Sequence, residues 1–300
     1  MKKRLHYLAM LMMSLSIGFV SCGSDDDDSI GGGSASATTG VLDGLNKRVK
    51  SVGDNTFYYK DNGMLDCVKN GRGLRYEFTY NPNKIVYNDE EENGEIVVTY
   101  NGAGYVARTD EIVVGEGYSS QGTLFYTYNN SGYLISIKGS YKEIYGSGDI
   151  DEGTYSAVLT WENNLLLSVV CENNYREMED GCQIRGRDIH TTSFSYDNNY
   201  YNRYHQYAPS VSDIAWLKIL PCTQLFYVGL MGKGPLYLPV SATVVAEYYE
   251  EGEEVNKWST TRNYSYGFNS DESISYTIVN GFYYYFKYEY LNSANRAVST

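Results

Sequence analysis

Tyr100-Asn101-Gly102-Ala103-Gly104-Tyr105-Val106 and Tyr128-Asn129-Asn130-Ser131-Gly132-Tyr133-Leu134 are two copies of one unit, and Tyr59-Lys60-Asp61-Asn62-Gly63-Met64-Leu65 is a third. In each, an aromatic residue ends an alternating stretch, a four-residue turn follows, and an apolar residue stands six positions after the aromatic. Asn and Asp start turns by bonding their own backbone, and glycine at the fourth turn position takes the positive φ that closes a hairpin with a bulge. Copies without that glycine pair Tyr80 with Val86, Trp161 with Leu167 and Phe268 with Ile274, and a partial copy opens at Tyr196-Asp197-Asn198-Asn199.

Residues two apart on a strand share a face. Stepping back by two from each aromatic gives one apolar face: Tyr76, Phe78, Tyr80; Ile96, Val98, Tyr100; Leu124, Tyr126, Tyr128; Ala157, Leu159, Trp161; Tyr264, Tyr266, Phe268. Glu77, Thr79, Thr99, Thr127 and Thr160 occupy the opposite face. The pattern predicts an all-β fold, an antiparallel meander of repeated β-hairpins forming a strongly curled sheet or barrel. Uneven spacing of the units argues against propeller blades. The 33 Tyr and 30 Gly, against only 5 Pro, fit many short strands joined by turns.

One stretch breaks the pattern. Ser210 to Pro221 has capping residues, helix-compatible apolar spacing and a terminal proline, so one or two short helices are expected near 210–231, closing an open end or edge. In an antiparallel meander, alternate connections fall at opposite ends. The Asn/Gly turns therefore belong to one rim. The acidic stretches at Asp89–Glu92, Asp149–Glu152, Glu177–Asp180 and Glu250–Glu254 belong to the other. The acidic rim reads as solvated loops, or as a calcium site or a surface for a basic partner, and no loop shows calcium-ligand spacing.

At the N-terminus, Lys2, Lys3 and Arg4 precede an apolar core from Leu8 to Val20, which is too short to span a bilayer. Phe19-Val20-Ser21-Cys22 resembles a bacterial lipobox, with Phe where Leu is usual. The expectation is a signal peptide over 1–21 and lipidation of Cys22. An acidic, then Gly/Ser-rich tether follows over 22–44, and a single β domain over 45–293. The run Gly23-Ser24-Asp25-Asp26-Asp27-Asp28 resembles the surface-export signal of Bacteroidota-type lipoproteins, which implies an outer-membrane anchor facing the cell exterior. The lipid is then the only membrane contact. The formal charge is −13, and removal of the three basic leader residues makes it more negative. Such a surface repels nucleic-acid phosphates, so nucleic acid is excluded as a partner.

The leader, the repeated unit and the segment Gly232-Lys233-Gly234-Pro235-Leu236-Tyr237-Leu238-Pro239 together resemble a Bacteroidota surface-lipoprotein family of unknown function with a porin-like β fold, over roughly residues 45–290. The resemblance implies a fold and brings no activity and no catalytic residues. It does not imply membrane insertion, because the polar outer positions leave no apolar band for lipid.

No catalytic constellation, cofactor motif or metal-ligand spacing stands out; His190 and His205 are the only histidines after the leader. Cys171 and Cys182 lie on core-parity positions flanking Glu172–Gly181, and read either as a disulfide or as free thiols, with Cys67 and Cys222 a weaker pair. In Phe282-Tyr283-Tyr284-Tyr285-Phe286-Lys287-Tyr288-Glu289-Tyr290, five aromatics share one face, and Tyr283 and Tyr285 lie on the other. If that second face meets solvent, its rings offer a flat stacking surface for sugars; otherwise tyrosine packs both sides of the sheet. The leading reading is non-catalytic binding of an extracellular glycan or partner protein. A carrier of a hydrophobic ligand and a carboxylate-dependent hydrolase are the alternatives.

Overall fold

The computed structural model describes residues 41–42, 45–71, 73–81, 83–88, 92–179, 182–209 and 223–291. The leader, Cys22, nearly all of the tether, Cys222 and residues 210–222 of the expected helical stretch lie outside the described residues. Among the described residues, sixteen strands form one antiparallel meander, and β1 pairs with β16 to close it into a barrel. The short side of the wall is β1 (Lys47–Val52), β2 (Asn55–Tyr59), β3 (Leu65–Lys69), β4 (Arg75–Thr79) and β5 (Lys84–Asn88). It rises through β6 (Glu92–Tyr100), β7 (Val106–Gly115), β8 (Tyr118–Tyr128) and β9 (Leu134–Tyr145). The tall side is β10 (Ile150–Glu162), β11 (Leu165–Glu179), β12 (Cys182–Ser195), β13 (Ser241–Glu250) and β14 (Glu253–Phe268). The wall ends in β15 (Ile274–Val279) and β16 (Phe282–Tyr290).

The repeated turns form as their residues dictate. Gly63, Gly104 and Gly132 sit at φ of 85, 82 and 86°. Asn101 accepts from the amides of Ala103 and Tyr105, and Asn129 does the same for Ser131 and Tyr133. Where glycine is missing, Asn81, Asn164 and Glu272 take the positive φ instead. The register slips at Thr99/Tyr100, Thr127/Tyr128, Thr160/Trp161 and Gly267/Phe268, so the expected bulge sits at each aromatic.

These aromatics do more than fill the core. Tyr80 donates its hydroxyl to the carbonyl of Leu65 (2.7 Å), Tyr128 to Val106 (2.8 Å), and Trp161 its ring N–H to Leu134 (2.8 Å). Each reaches back to the apolar residue that opens the second strand of the preceding unit. Tyr and Trp at this place thus add a hydrogen bond to the packing, which Phe268 in its copy cannot. Tyr128→Phe is expected to cost about 1–2 kcal/mol, because a part-buried donor is lost while the packing stays. A thermal melt monitored by circular dichroism measures it.

The predicted inward residues are buried or packed against the core, and Glu77, Thr79, Thr99, Thr127 and Thr160 are exposed. The outer wall carries cross-strand and same-strand ion pairs around its circumference: Arg75–Glu77, Lys84–Glu95, Arg108–Asp110, Arg176–Glu152, Arg187–Glu172 and Lys257–Glu247. Exposed apolar residues such as Ile112, Phe125 and Val158 stand among them. A lipid-facing barrel shows a continuous apolar band outside and polar groups within. On this wall ion pairs and exposed apolar side chains are interspersed.

The turns of the repeated unit lie at one end, and the acidic connections lie at the other together with the Asn280-Gly281 turn. The Asn/Gly end is closed by the long connection from β12 to β13. Leu225, Phe226, Val228, Leu230 and Met231 are buried in the core, and Phe226 packs on Tyr207 with ring centroids 4.3 Å apart. The amide of Lys233 donates to Gly132 O and that of Leu236 to Asn164 O, which staples the segment to two turn tips. Gly232 has φ of 84°, and a Cβ there would meet Gly132 O at 2.5 Å, so this approach requires glycine. Residues 210–222 of the expected helical stretch lie outside the described residues, and the described remainder holds one short 3-10 helix, Thr223–Phe226. Gly229 and Gly232, both at positive φ, bend the chain away before a longer helix can extend.

Candidate functional site

The turn between β15 and β16 is Asn280-Gly281, with φ of 48 and 90°. Two consecutive residues at positive φ make the tight hairpin that fixes register. Tyr276 then lies opposite Tyr285, and Ile278 opposite Tyr283. On β16, Tyr284, Phe286 and Tyr288 pack against the core, which leaves Tyr283 and Tyr285 on the outer wall, each 55% exposed. Their rings are stacked, with centroids 5.7 Å apart and planes 16° from parallel. Tyr276 joins them at 5.7 Å from Tyr283 and 6.2 Å from Tyr285. Gly267 stands opposite Tyr276 on β14, where a Cβ would lie 2.2 Å from the Tyr276 ring. The missing side chain lets that ring lie against the wall.

Tyr276 was not legible from alternation, because the bulge opposite Gly267/Phe268 inserts Ser275 and breaks parity on β15. A tyrosine on the strand preceding an Asn-Gly turn, counted back from the turn, was the available signal. Phe282 and Tyr290, at the strand ends, are 72 and 77% exposed.

Beside the platform runs the seam that closes the barrel. Arg48 on β1 pairs with Glu289 on β16 at 2.5 Å, and Lys50 reaches the same carboxylate at 3.2 Å. Arg48 also lies over the Tyr59 ring at 3.9 Å. Burial opposes ionisation of Glu289, yet Arg48 and Lys50 outweigh it and hold the carboxyl below its usual range. Lys47 bonds Asp271 at 2.6 Å and Ser273 at 2.8 Å, with its ammonium 4.3 Å from the Tyr288 ring centroid.

This sixteen-strand architecture has solved counterparts. A porin-like protein from Bacteroides vulgatus ATCC 8482 aligns with a TM-score of 0.50 at 12% identity, over 81% of this chain and 97% of that one. A porin-like protein from Bacteroides uniformis ATCC 8492 aligns at 0.45 and 15% identity, over 84% of this chain and 95% of that one. The likeness to the Bacteroides vulgatus protein is one of fold alone. No family model matches the chain, and a search of curated proteins finds no match.

The remaining sequence candidates fare differently. Cys171 and Cys182 are free thiols, which corrects the disulfide reading. The stretch between them is not a loop: β11 runs to Glu179, and Cys171 lies opposite His190, eight residues beyond Cys182 on β12. That separation is roughly 26 Å along the strand, far beyond disulfide reach. Cys171 is buried and Cys182 exposed at the hairpin tip. Lipidation at Cys22 falls outside the described residues.

Inside the barrel toward the acidic end lies a layer of carboxylates and tyrosines that sequence reasoning missed. Tyr87 donates to Glu111 (2.7 Å), and Tyr145 to Glu143 (2.8 Å). Asp151 stands opposite Glu143 in register and accepts from the Met178 amide at 3.0 Å. Glu143 and Asp151 are only 6 and 7% exposed, so a substrate would have to displace packed side chains to reach them. Among the described residues no group of three or more His, Cys, Asp or Glu is arranged to hold a metal ion.

Burial pushes the Asp151 carboxyl above its usual range, against the pull of the Met178 amide and Tyr145. A carboxyl whose folded pKa is raised weakens the fold wherever it is ionised, and the penalty is relieved as pH falls through its folded value toward 3.8. Asp151→Asn is therefore expected to raise the Tm at pH 7, with the gain vanishing near pH 4. Melts at the two pH values measure it.

Proposed function

We propose that this chain is a non-catalytic surface protein that holds an extracellular glycan on the Tyr276–Tyr283–Tyr285 platform. The observation that carries the reading is the stacked, half-exposed Tyr283–Tyr285 pair, with Tyr276 alongside, on the outside of an otherwise ion-paired wall. Sugar rings have apolar faces that stack on aromatic rings, and tyrosine adds a hydroxyl at the rim of each contact. Contiguous exposed aromatic surface on a water-facing wall is the usual mark of a binding site.

The anchor belongs to the same proposal. Lipid on Cys22 would supply membrane attachment at the outer membrane, and the acidic tether would hold the barrel outside. The polar outer wall supports this division of labour, because the barrel itself has no band to offer lipid. Of the alternatives, a hydrophobic-ligand carrier needs an open apolar interior, whereas here side chains from the strands and the β12–β13 connection form one buried core. A hydrolase needs two accessible carboxylates, and the inward pair Glu143 and Asp151 is covered.

The test is a panel of bacterial, host and dietary polysaccharides against the full chain. Saturable binding of at least one glycan is expected. Absence of binding across the panel would sink the proposal.

A further inference from the structure

The chain is strongly acidic as a whole, with a formal charge of −13, yet two lysines beside the platform, Lys287 and Lys69, make no ion pair among the described residues. Register places Lys287 of β16 opposite Ser51 of β1, Ser51 opposite Thr56 of β2, and Thr56 opposite Lys69 of β3. These four residues form one row around the outer wall. Lys287 is two residues from Tyr285 on the same face of the strand, so the row begins where the aromatic platform ends. Thr56 and Lys69, with Asp54, Tyr58 and Asn70, line an open cleft of about 570 Å³ between them. Adjacent strands are spaced by about 4.8 Å, so the row from Lys287 to Lys69 spans roughly 14 Å.

The charges in this region do not cancel. Glu289 is already bound by Arg48 and Lys50, and Glu77 by Arg75 at 2.9 Å. Lys287 and Lys69 are both exposed and make no ion pair among the described residues. Asp54 is the carboxylate that lines the cleft. Elsewhere on the wall Lys84, Arg108, Arg187 and Lys257 are each held by an acidic neighbour, while Lys138 and Arg185 make no ion pair among the described residues. Lys69 on the polar cleft and Lys287 in the same row, two residues from Tyr285, offer aromatic stacking and charge neutralisation to one extended chain.

We infer that the glycan held by this wall is an anionic polysaccharide bearing carboxylates, its sugar rings on Tyr283 and Tyr285 and its carboxylates at Lys287 and Lys69. This rests on the glycan reading above and names the class of glycan. Acidic sugars present a ring face for stacking and a carboxylate for an ammonium, and the row supplies both in sequence. The net negative charge of the rest of the surface then disfavours approach elsewhere, which directs the polymer to this face.

The experiment is calorimetric titration of the full chain with polygalacturonate and with the same polymer whose carboxylates have been reduced to alcohols. Polygalacturonate is expected to bind about tenfold or more tightly than the reduced polymer, with affinity falling in about 0.5 M salt. The double variant Lys69→Gln/Lys287→Gln should lose about tenfold in affinity for polygalacturonate and none for the reduced polymer, with an unchanged melt. Equal binding of both polymers, or wild-type affinity in the double variant, overturns the anionic assignment and leaves the tyrosine platform standing. Binding of a sulfated glycan with polygalacturonate silent overturns the carboxylate assignment. Failure of every polymer, charged or neutral, overturns the platform as well.

Discussion

Gly139→Val is expected to unfold the barrel at temperatures where the wild-type chain is intact. Gly139 sits on β9 between Leu124 of β8 and Tyr155 of β10. A Cβ at this position would lie 1.9 Å from the backbone oxygen of Thr123 and 2.7 Å from the Leu124 side chain. A side chain in the way can swing aside; a ladder carbonyl cannot move without breaking the β8–β9 pairing. Ordinary overpacking costs about 1–3 kcal/mol, and this case should exceed about 3 because the backbone must move. Gly186→Ala makes the useful contrast. There the added Cβ would meet the ring of Tyr175, which lies directly opposite and has room to rotate. The second variant should melt much closer to wild type, and equal melting of the two would contradict the argument.

Asp271→Asn is expected to loosen the seam at which the barrel closes. Lys47 extends from β1 across β16 to the β14–β15 turn, and its side chain is only 6% exposed. Losing the Asp271 carboxylate leaves that ammonium with the Ser273 hydroxyl alone, and because Asp271 is 33% exposed the cost is about 1–2 kcal/mol, below that of a fully buried pair. The pH dependence gives the sign. Burial opposes ionisation of Asp271, but Lys47 and the hydroxyl and amide of Ser273 prevail, and its pKa is lowered from 3.8 to about 2. A carboxylate depressed in this way contributes stability that is fully present above the unfolded value near 3.8 and is lost as pH falls through about 2. Wild-type and variant melting temperatures should therefore differ at pH 7 and converge toward pH 2. A gap that persists unchanged at pH 2 would mean the seam is held by packing instead.

Much of the fold was legible because the repeat unit carries its own geometry. Asn101, Gly104 and Tyr100 fix turn, φ and bulge locally, so the hairpins and their inward faces could be read without knowing their neighbours. Closure could not be read, since the pairing of β1 with β16 joins residues from opposite ends of the described chain, as in Lys47 with Tyr290. Cys171 and Cys182 were misread for a related reason. Polar residues from Glu172 onward look like loop, yet they form the tall side of the wall, where both faces meet solvent or the polar layer within. That layer was equally hidden. Gly122, Tyr141, Gly153, Tyr175 and Gly186 alternate on neighbouring strands in one row, with Tyr141 over Gly153 and Tyr175 over Gly186. Only register reveals the row. Tyr283 and Tyr285, in contrast, were visible as the outer face of a strand whose other face is wholly aromatic.

The central claim is that Tyr283 and Tyr285 form the floor of a glycan site on a water-facing barrel. It is tested most directly by titrating the best-binding glycan of the panel against the full chain and against Tyr283→Ala/Tyr285→Ala. Both side chains are on the outside, so the fold should survive their truncation, and a matching melt checks this. At about 1 kcal/mol per stacked ring, the double variant should bind roughly thirtyfold more weakly. Undiminished binding by a folded double variant would contradict the account.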